Sequence, residues 1–231
     1  MPSASASSWH AERLAAGLAM IAGYIDAYGL IRYQTYLSFM SGNTTQTGSQ
    51  LGQGHLALAI PSFVAIAFFL TGVFAGTLLA QGLPAHATRL RFSLVAALLA
   101  ATIALSHASL IVSLLAIAIL ALAMGMMNTV LSHVGGQSVN IGFVTGTLNS
   151  AGQHLAQAVL RLPLPDAQGA RDTHASRAAL LLGIWLAFLT GALIAGFATA
   201  RFEVGMLLPA CLAVSAVALW NPALPSAVRS R

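Results

Sequence analysis

The segment 56–80, LALAIPSFVAIAFFLTGVFAGTLLA, runs its whole length without a charged side chain. As a helix it would reach about 37 Å, more than the roughly 30 Å hydrocarbon core of a bilayer. A stretch this long and this apolar is a membrane span. Its inner block Phe69-Leu70-Thr71-Gly72 returns unchanged as Phe188-Leu189-Thr190-Gly191 inside another apolar stretch. The same segment therefore also announces an internal repeat, which has to be sought before any fold is named.

Moving outward, apolar stretches at 14–31, 92–106, 110–131, 178–200 and 204–220 join 56–80, which predicts six spans. The stretch 14–22 could pass for the core of a signal peptide, but it runs on past Gly23 and more spans follow, so it reads as the first span. The composition agrees, with 58% hydrophobic and 6% charged residues and a mean hydropathy of +0.82. A pI near 10.4 comes from scattered arginines with no basic stripe, which argues against nucleic-acid binding. The lone Cys211 has no thiol partner, so neither an internal disulfide nor a cysteine metal site is available.

Positive charge stays on the cytoplasmic side of a membrane. Six spans put Arg13, Arg89, Arg91, Arg161, Arg171, Arg177, Arg229 and Arg231 on one side and only Arg32 and Arg201 on the other. Both termini, 1–13 and 222–231, are therefore expected in the cytoplasm. Letting 32–55 and 132–177 cross as well would make eight spans, and the charge bias would fall to six against four.

Three blocks recur in the same order. Gly23-x-x-Asp26 matches Gly125-x-x-Asn128; Phe39-Met40-Ser41-Gly42 matches Phe143-Val144-Thr145-Gly146; and the Phe-Leu-Thr-Gly block closes each set. One transmembrane domain built of two repeats, about 14–107 and 109–221, follows. Each repeat holds three spans, and an odd number of crossings turns the second upside down, an arrangement shared by many transporters. The expected fold is an all-α six-span bundle of two inverted repeats, each with a polar broken or re-entrant segment.

Those segments carry the candidate site. Ser41, Gly42, Asn43 and Thr44 in the first copy, and Thr145, Gly146, Thr147 and Asn149 in the second, are too polar to face lipid. Ser41 or Asn43, and Thr145 or Thr147, are suitable N-caps for short helices. One reading has the two half-helices meet near the midplane and bind a small polar solute; the other has them pack helices through small residues. Asp26, the acid inside a span, would carry a proton, bind a cation, or pair with Arg32 or Arg201. Asn128, its repeat partner, lacks the charge. Gly72, Gly76, Gly191 and Gly196 read as helix-contact positions. His55, His133 and His154 lack metal-ligand spacing, so neither a metal nor a cofactor is expected, and the thin catalytic set argues against an enzyme.

Gly-Tyr-Ile-Asp-Ala at 23–27, Ser-Gly-Asn-Thr-Thr at 41–45, Phe-Val-Thr-Gly-Thr at 143–147 and the Phe-Leu-Thr-Gly blocks together resemble the YoaK-like family of bacterial inner-membrane proteins. The resemblance covers about 14–220. Ser41 stands where the family more often has threonine, and Met127 where it usually has glutamine. It implies a multi-pass protein of the bacterial inner membrane and brings no substrate or catalytic residue. The functions that remain are passage of a small polar solute, or an accessory role binding lipid or a partner complex, with the oligomeric state open.

Overall fold

A computed structural model describes residues 4–84, 86–108, 112–130, 133–134, 137–138, 144–167, 169, 172–199, 201 and 205–220. The helices in chain order are α1 (Ala4–Tyr33), α2 (Met40–Gly52), α3 (Leu56–Gly82), α4 (Ala87–His107), α5 (Ser113–Asn128), α6 (Val144–Val159), α7 (His174–Thr199) and α8 (Leu208–Trp220). Apart from them, β1 (His133–Val134) and β2 (Gln137–Ser138) form a two-rung antiparallel ladder, with His133 opposite Ser138. Four helical stretches are long and apolar enough to cross a membrane: 11–33 in α1, and α3, α4 and α7. α5 and α8 are apolar but shorter, at 16 and 13 residues. The six expected spans thus divide into four long helices and two short ones.

Helix is the natural state of such segments because every backbone amide finds its carbonyl inside the same element, which hydrocarbon demands. Several helices begin earlier than hydropathy suggests: α4 takes in Arg89 and Arg91, and α7 takes in Arg177. Charge limits burial in lipid but does not stop a helix.

The core lies around α1 and α5. Leu18, Ala19, Ala22 and Ile25 of α1 and Leu120, Ala121, Ala123 and Met127 of α5 are buried. Ten of the sixteen residues of α5 are buried, so its neighbours are protein, and a helix of about 24 Å needs no match to the bilayer thickness there. α3 instead exposes Leu58, Phe63, Leu70, Phe74 and Leu78. Such an apolar outer face suits hydrocarbon rather than water.

Main packing pairs are α1 with α7 and α3 with α5, while α2 lies on α3, α6 on α7, and α4 against α5 and α8. Glycine sets the two main crossings. A Cβ on Gly23 would collide with the carbonyl oxygen of Phe188, and one on Gly191 with that of Met20. At the second crossing a Cβ on Gly72 would meet the carbonyl of Leu122, and one on Gly125 that of Phe69. Backbone therefore rests directly on backbone, the closest approach small residues permit. Farther along, a Cβ on Gly76 would come within 2.5 Å of Thr129 Oγ1. The later parts of α3 and α5 thus lie side by side, and the two helices run in the same sense. Gly196, expected to pack with the others, has nothing within 4 Å of where its side chain would begin. Five-residue spacing turns it away from the face that Gly191 presents.

Candidate functional site

The connection 34–39 between α1 and α2 folds back onto α1. Gln34 adopts a left-handed conformation (φ 54°), and its amide bonds to Leu30 O at 3.0 Å, an αL helix end normally given to glycine. Its side chain also donates to Leu30 O at 3.1 Å, and Gln46 Nε2 donates to Gln34 O at 3.3 Å. Leu37 then packs against Gly29, where a Cβ would lie 2.5 Å from the Leu37 side chain.

Asp26 and Asn43 hold this folded-back chain. Asp26 is buried, and its Oδ1 accepts the backbone N–H of Leu37 and of Ser38, each at 2.7 Å. Neither Arg32 nor Arg201 is its partner, which removes the ion-pair alternative and leaves the other two, a carried proton or a bound cation, open. Two amides arriving from a connection eleven and twelve residues on stabilise a carboxylate without a countercharge. Asn43 is fully buried and pairs reciprocally with Tyr36: Nδ2 donates to Tyr36 O at 2.7 Å, and Tyr36 N donates to Oδ1 at 3.1 Å. The carboxamide acts there as a piece of backbone.

This use of Asn43 changes the expected capping. α2 starts at Met40 behind Phe39, with no side-chain cap, so Ser41 and Asn43 lie inside its first turn. α6 starts at Val144, which puts Thr145 and Thr147 inside its first turn as well. Ser41 and Thr44 are exposed; Thr44 Oγ1 bonds back to Met40 O at 2.8 Å. Gly42 sits under the Tyr36 and Phe39 rings, themselves edge to face at 5.2 Å.

The second copy is placed differently. Asn128 ends α5 with its Oδ1 buried and unpartnered among the described residues. Thr147 is buried, Gly146 is half-buried, and Thr145 and Asn149 are exposed. The two copies pack on different helices, α2 on α3 and α6 on α7. Phe143 and most of 131–143, the counterpart of the 34–39 connection, fall outside the described residues.

Three further polar arrangements had no strong signal in the sequence. Arg91, buried in α4, donates to Thr129 O at 2.6 Å and Thr129 Oγ1 at 3.1 Å, so a cation faces the negative end of α5. His154 Nδ1 of α6 lies 2.8 Å from His174 Nδ1 of α7, a contact that needs one protonated and one bare nitrogen. Arg177 clamps the 160–173 connection by bonding Asp172 at 2.9 Å and Asp166 at 2.9 Å. Arg91 and Thr129 are 38 positions apart, His154 and His174 are 20, and Arg177 and Asp166 are 11, and only the fold closes those distances.

The Arg177 hydrogen bonds hold the Asp166 carboxyl below the ordinary carboxylate range. A depressed folded value means that the clamp contributes above the unfolded value of about 3.9 and is lost as pH falls through the lower folded one. Acidification from about pH 6 to about pH 3 should therefore lower the protection factors of 160–173, that is, the exchange rates corrected for the intrinsic pH dependence of amide exchange. Asp166→Asn should show part of that loss of protection at both pH values; equal protection factors in wild type at the two pH values would remove the clamp from the account.

An open cavity of about 300 Å³ lies at the other end of the bundle, lined by Tyr28, Arg32 and Tyr33 of α1, Ile103, Ser106 and His107 of α4, Ser113 and Ala116 of α5, and Gly205–Leu207 before α8. It gathers the end of α1, the end of α4 and the beginnings of α5 and α8. The Tyr28 and Tyr33 rings meet edge to face at 5.8 Å on its wall. Asp26 is not part of the lining. Tyr24 instead donates its hydroxyl to Met206 O, tying α1 to the start of α8 beneath the cavity.

A family model described as "Protein of unknown function (DUF1275)" matches residues 14–220. The chain is also similar to UPF0700 transmembrane protein RA0705 of Rhizobium meliloti (strain 1021), at 30% identity over 152 residues, or 62% of this chain. That match spans 61% of the relative's length. No solved structure matches the chain.

Proposed function

The chain belongs to the DUF1275 family, and from that premise we propose that it is a six-span inner-membrane protein of two inverted repeats that passes a small polar solute. The observation carrying this reading is the exchange of the two glycine crossings by the repeat. Met20 and Gly23 have Leu122 and Gly125 as counterparts, and Phe69 and Gly72 have Phe188 and Gly191. One crossing therefore maps onto the other with the halves swapped. The lesser pairings follow suit, since α2 on α3 corresponds to α6 on α7. Three spans per half make the axis lie in the membrane plane.

The cavity supports six spans over eight. If α2 crossed fully, the ends of α1 and α4 would lie on opposite faces, yet both line the same cavity. With six spans the cavity opens on the non-cytoplasmic side and both termini are cytoplasmic, in keeping with the arginine count.

Purified protein in proteoliposomes should raise uptake of at least one small polar solute above that of protein-free vesicles. A second reading, an accessory protein binding lipid or a partner complex, is favoured by the full commitment of Asp26 and Asn43 to the 34–39 backbone. Absence of flux across a broad solute panel, together with a stoichiometric membrane partner on purification, would select it.

A further inference from the structure

With six spans, two arginines stand on the non-cytoplasmic side, against the prevailing charge bias. Arg201 lies over the Phe197 ring at 4.1 Å, a cation–π contact. Arg32 lines the cavity and has no ion pair or hydrogen bond among the described residues. No acid is among the described lining residues, whereas His107, Ser113 and one hydroxyl of the Tyr28–Tyr33 pair supply donors; the Ser106 hydroxyl is given to Thr102 O. α5 begins at this cavity with no side-chain cap at Val112, so its first amides and its positive dipole end are left to another acceptor.

We infer that this cavity binds a small carboxylate-bearing solute, with Arg32 as the anchoring residue. A guanidinium presents a planar fork that matches a carboxylate with two parallel hydrogen bonds. One arginine balances one negative charge, which favours a monocarboxylate over a phosphate dianion. The remaining lining residues, Ile103, Ala116, Met206 and Leu207, are apolar, and Ile103, the partly exposed one of them, can touch a short organic tail. The volume of about 300 Å³ is at the small end of ligand pockets, which limits the solute to roughly ten non-hydrogen atoms at about 30 Å³ each. Arg32 also stands in the last turn of α1, where any cation favours the helix dipole. That role is met equally by lysine, whereas the carboxylate fork is not. As the outer entrance of a pathway the cavity rests on the transport reading; as a binding site it does not.

The test is a titration of the purified full-length protein in uncharged detergent at constant ionic strength, using propionate, benzoate and inorganic phosphate, read by thermal midpoint and calorimetry. Saturable binding of a carboxylate in preference to phosphate is expected. Arg32→Gln and Arg32→Lys should each weaken it at least tenfold, and Arg32→Lys should do so with the ligand-free midpoint unchanged. Ile103→Trp, which fills the cavity and leaves every charge in place, should abolish it, and Arg13→Gln should leave it intact. Nanodiscs with and without phosphatidylglycerol separate a soluble anion from a lipid headgroup. The proposal is overturned by wild type that binds no carboxylate, by Arg32→Gln binding as wild type does, or by Arg32-dependent stabilisation from phosphatidylglycerol alone. It is also overturned if binding emerges only in Glu203→Gln, because Glu203, outside the described residues, would then neutralise Arg32 in the native protein. Binding without flux removes the transport reading and leaves this one standing; flux without carboxylate binding does the reverse.

Discussion

Valine at Gly23 or Gly191 should abolish recovery of monodisperse protein, and the same change at Gly72 or Gly125 should do so too. Overpacking a core usually costs about 1–3 kcal/mol, because side chains shift to make room. Here the atoms in the way are the main-chain carbonyls of Phe188, Met20, Leu122 and Phe69, which belong to rigid helices. Whole helices have to separate, and with them the contacts of α1 with α7 and of α3 with α5. Even alanine at these four positions should lower the thermal midpoint by several degrees. The controls lie in the same helices: Gly17 and Gly183 have nothing within 4 Å of a new Cβ. Alanine there should be neutral or stabilising by up to about 1 kcal/mol through helix propensity. Size-exclusion profiles and thermal midpoints check the series, and a Gly23→Ala protein as stable as Gly17→Ala would show that the helices do not cross where the structure has them.

Asp26→Ala should be nearly as damaging, for a different reason. It removes the acceptor of two buried amides, Leu37 and Ser38, each held at 2.7 Å. Hydrogen bonds to a charged group contribute about 1.5–3 kcal/mol each, and leaving buried donors unpaired is costly in itself. The 34–39 connection should come loose from α1 and become open to proteolysis. Asp26→Asn keeps one carbonyl acceptor in place and should fold, with a much smaller loss. The pair of variants also separates two roles for the carboxylate. If Asp26 only anchors the chain, Asp26→Asn retains whatever flux wild type supports; if it carries the coupling proton, that variant folds normally and loses flux driven by a pH gradient.

The role of Asp26 marks a limit of what can be read from residue types. An acid inside a span is a functional candidate because of the cost of burying it. Its identity does not reveal whether that cost is met by a proton, a cation, an arginine or, as here, by amides from the chain eleven residues on. Asn43 is a similar case: at a helix start it suggests a cap, and it instead pairs with the Tyr36 backbone. In both, the polar atom was legible and its partner was not, because the partner is a main-chain group that every residue carries.

The sequence by itself determined the solvent, the helical class and the places where the chain breaks. An uncharged run as long as 56–80 has no other stable environment, and the recurring Gly-x-x-Asp/Asn and Phe-Leu-Thr-Gly blocks sit at the crossings that the structure displays. Only the tertiary structure decided which helices are enclosed, which glycines touch and where the cavity opens. In a soluble helix the apolar stripe faces inward and discloses the core. In a membrane both the core and the lipid are apolar, so α3, largely exposed, and α5, largely enclosed, look alike in composition. Their difference rests on neighbours brought in from far along the chain. The cavity has the same origin: Arg32, His107, Ser113 and Met206 come from four separate helix ends, and nothing in their local spacing records that the fold brings them together.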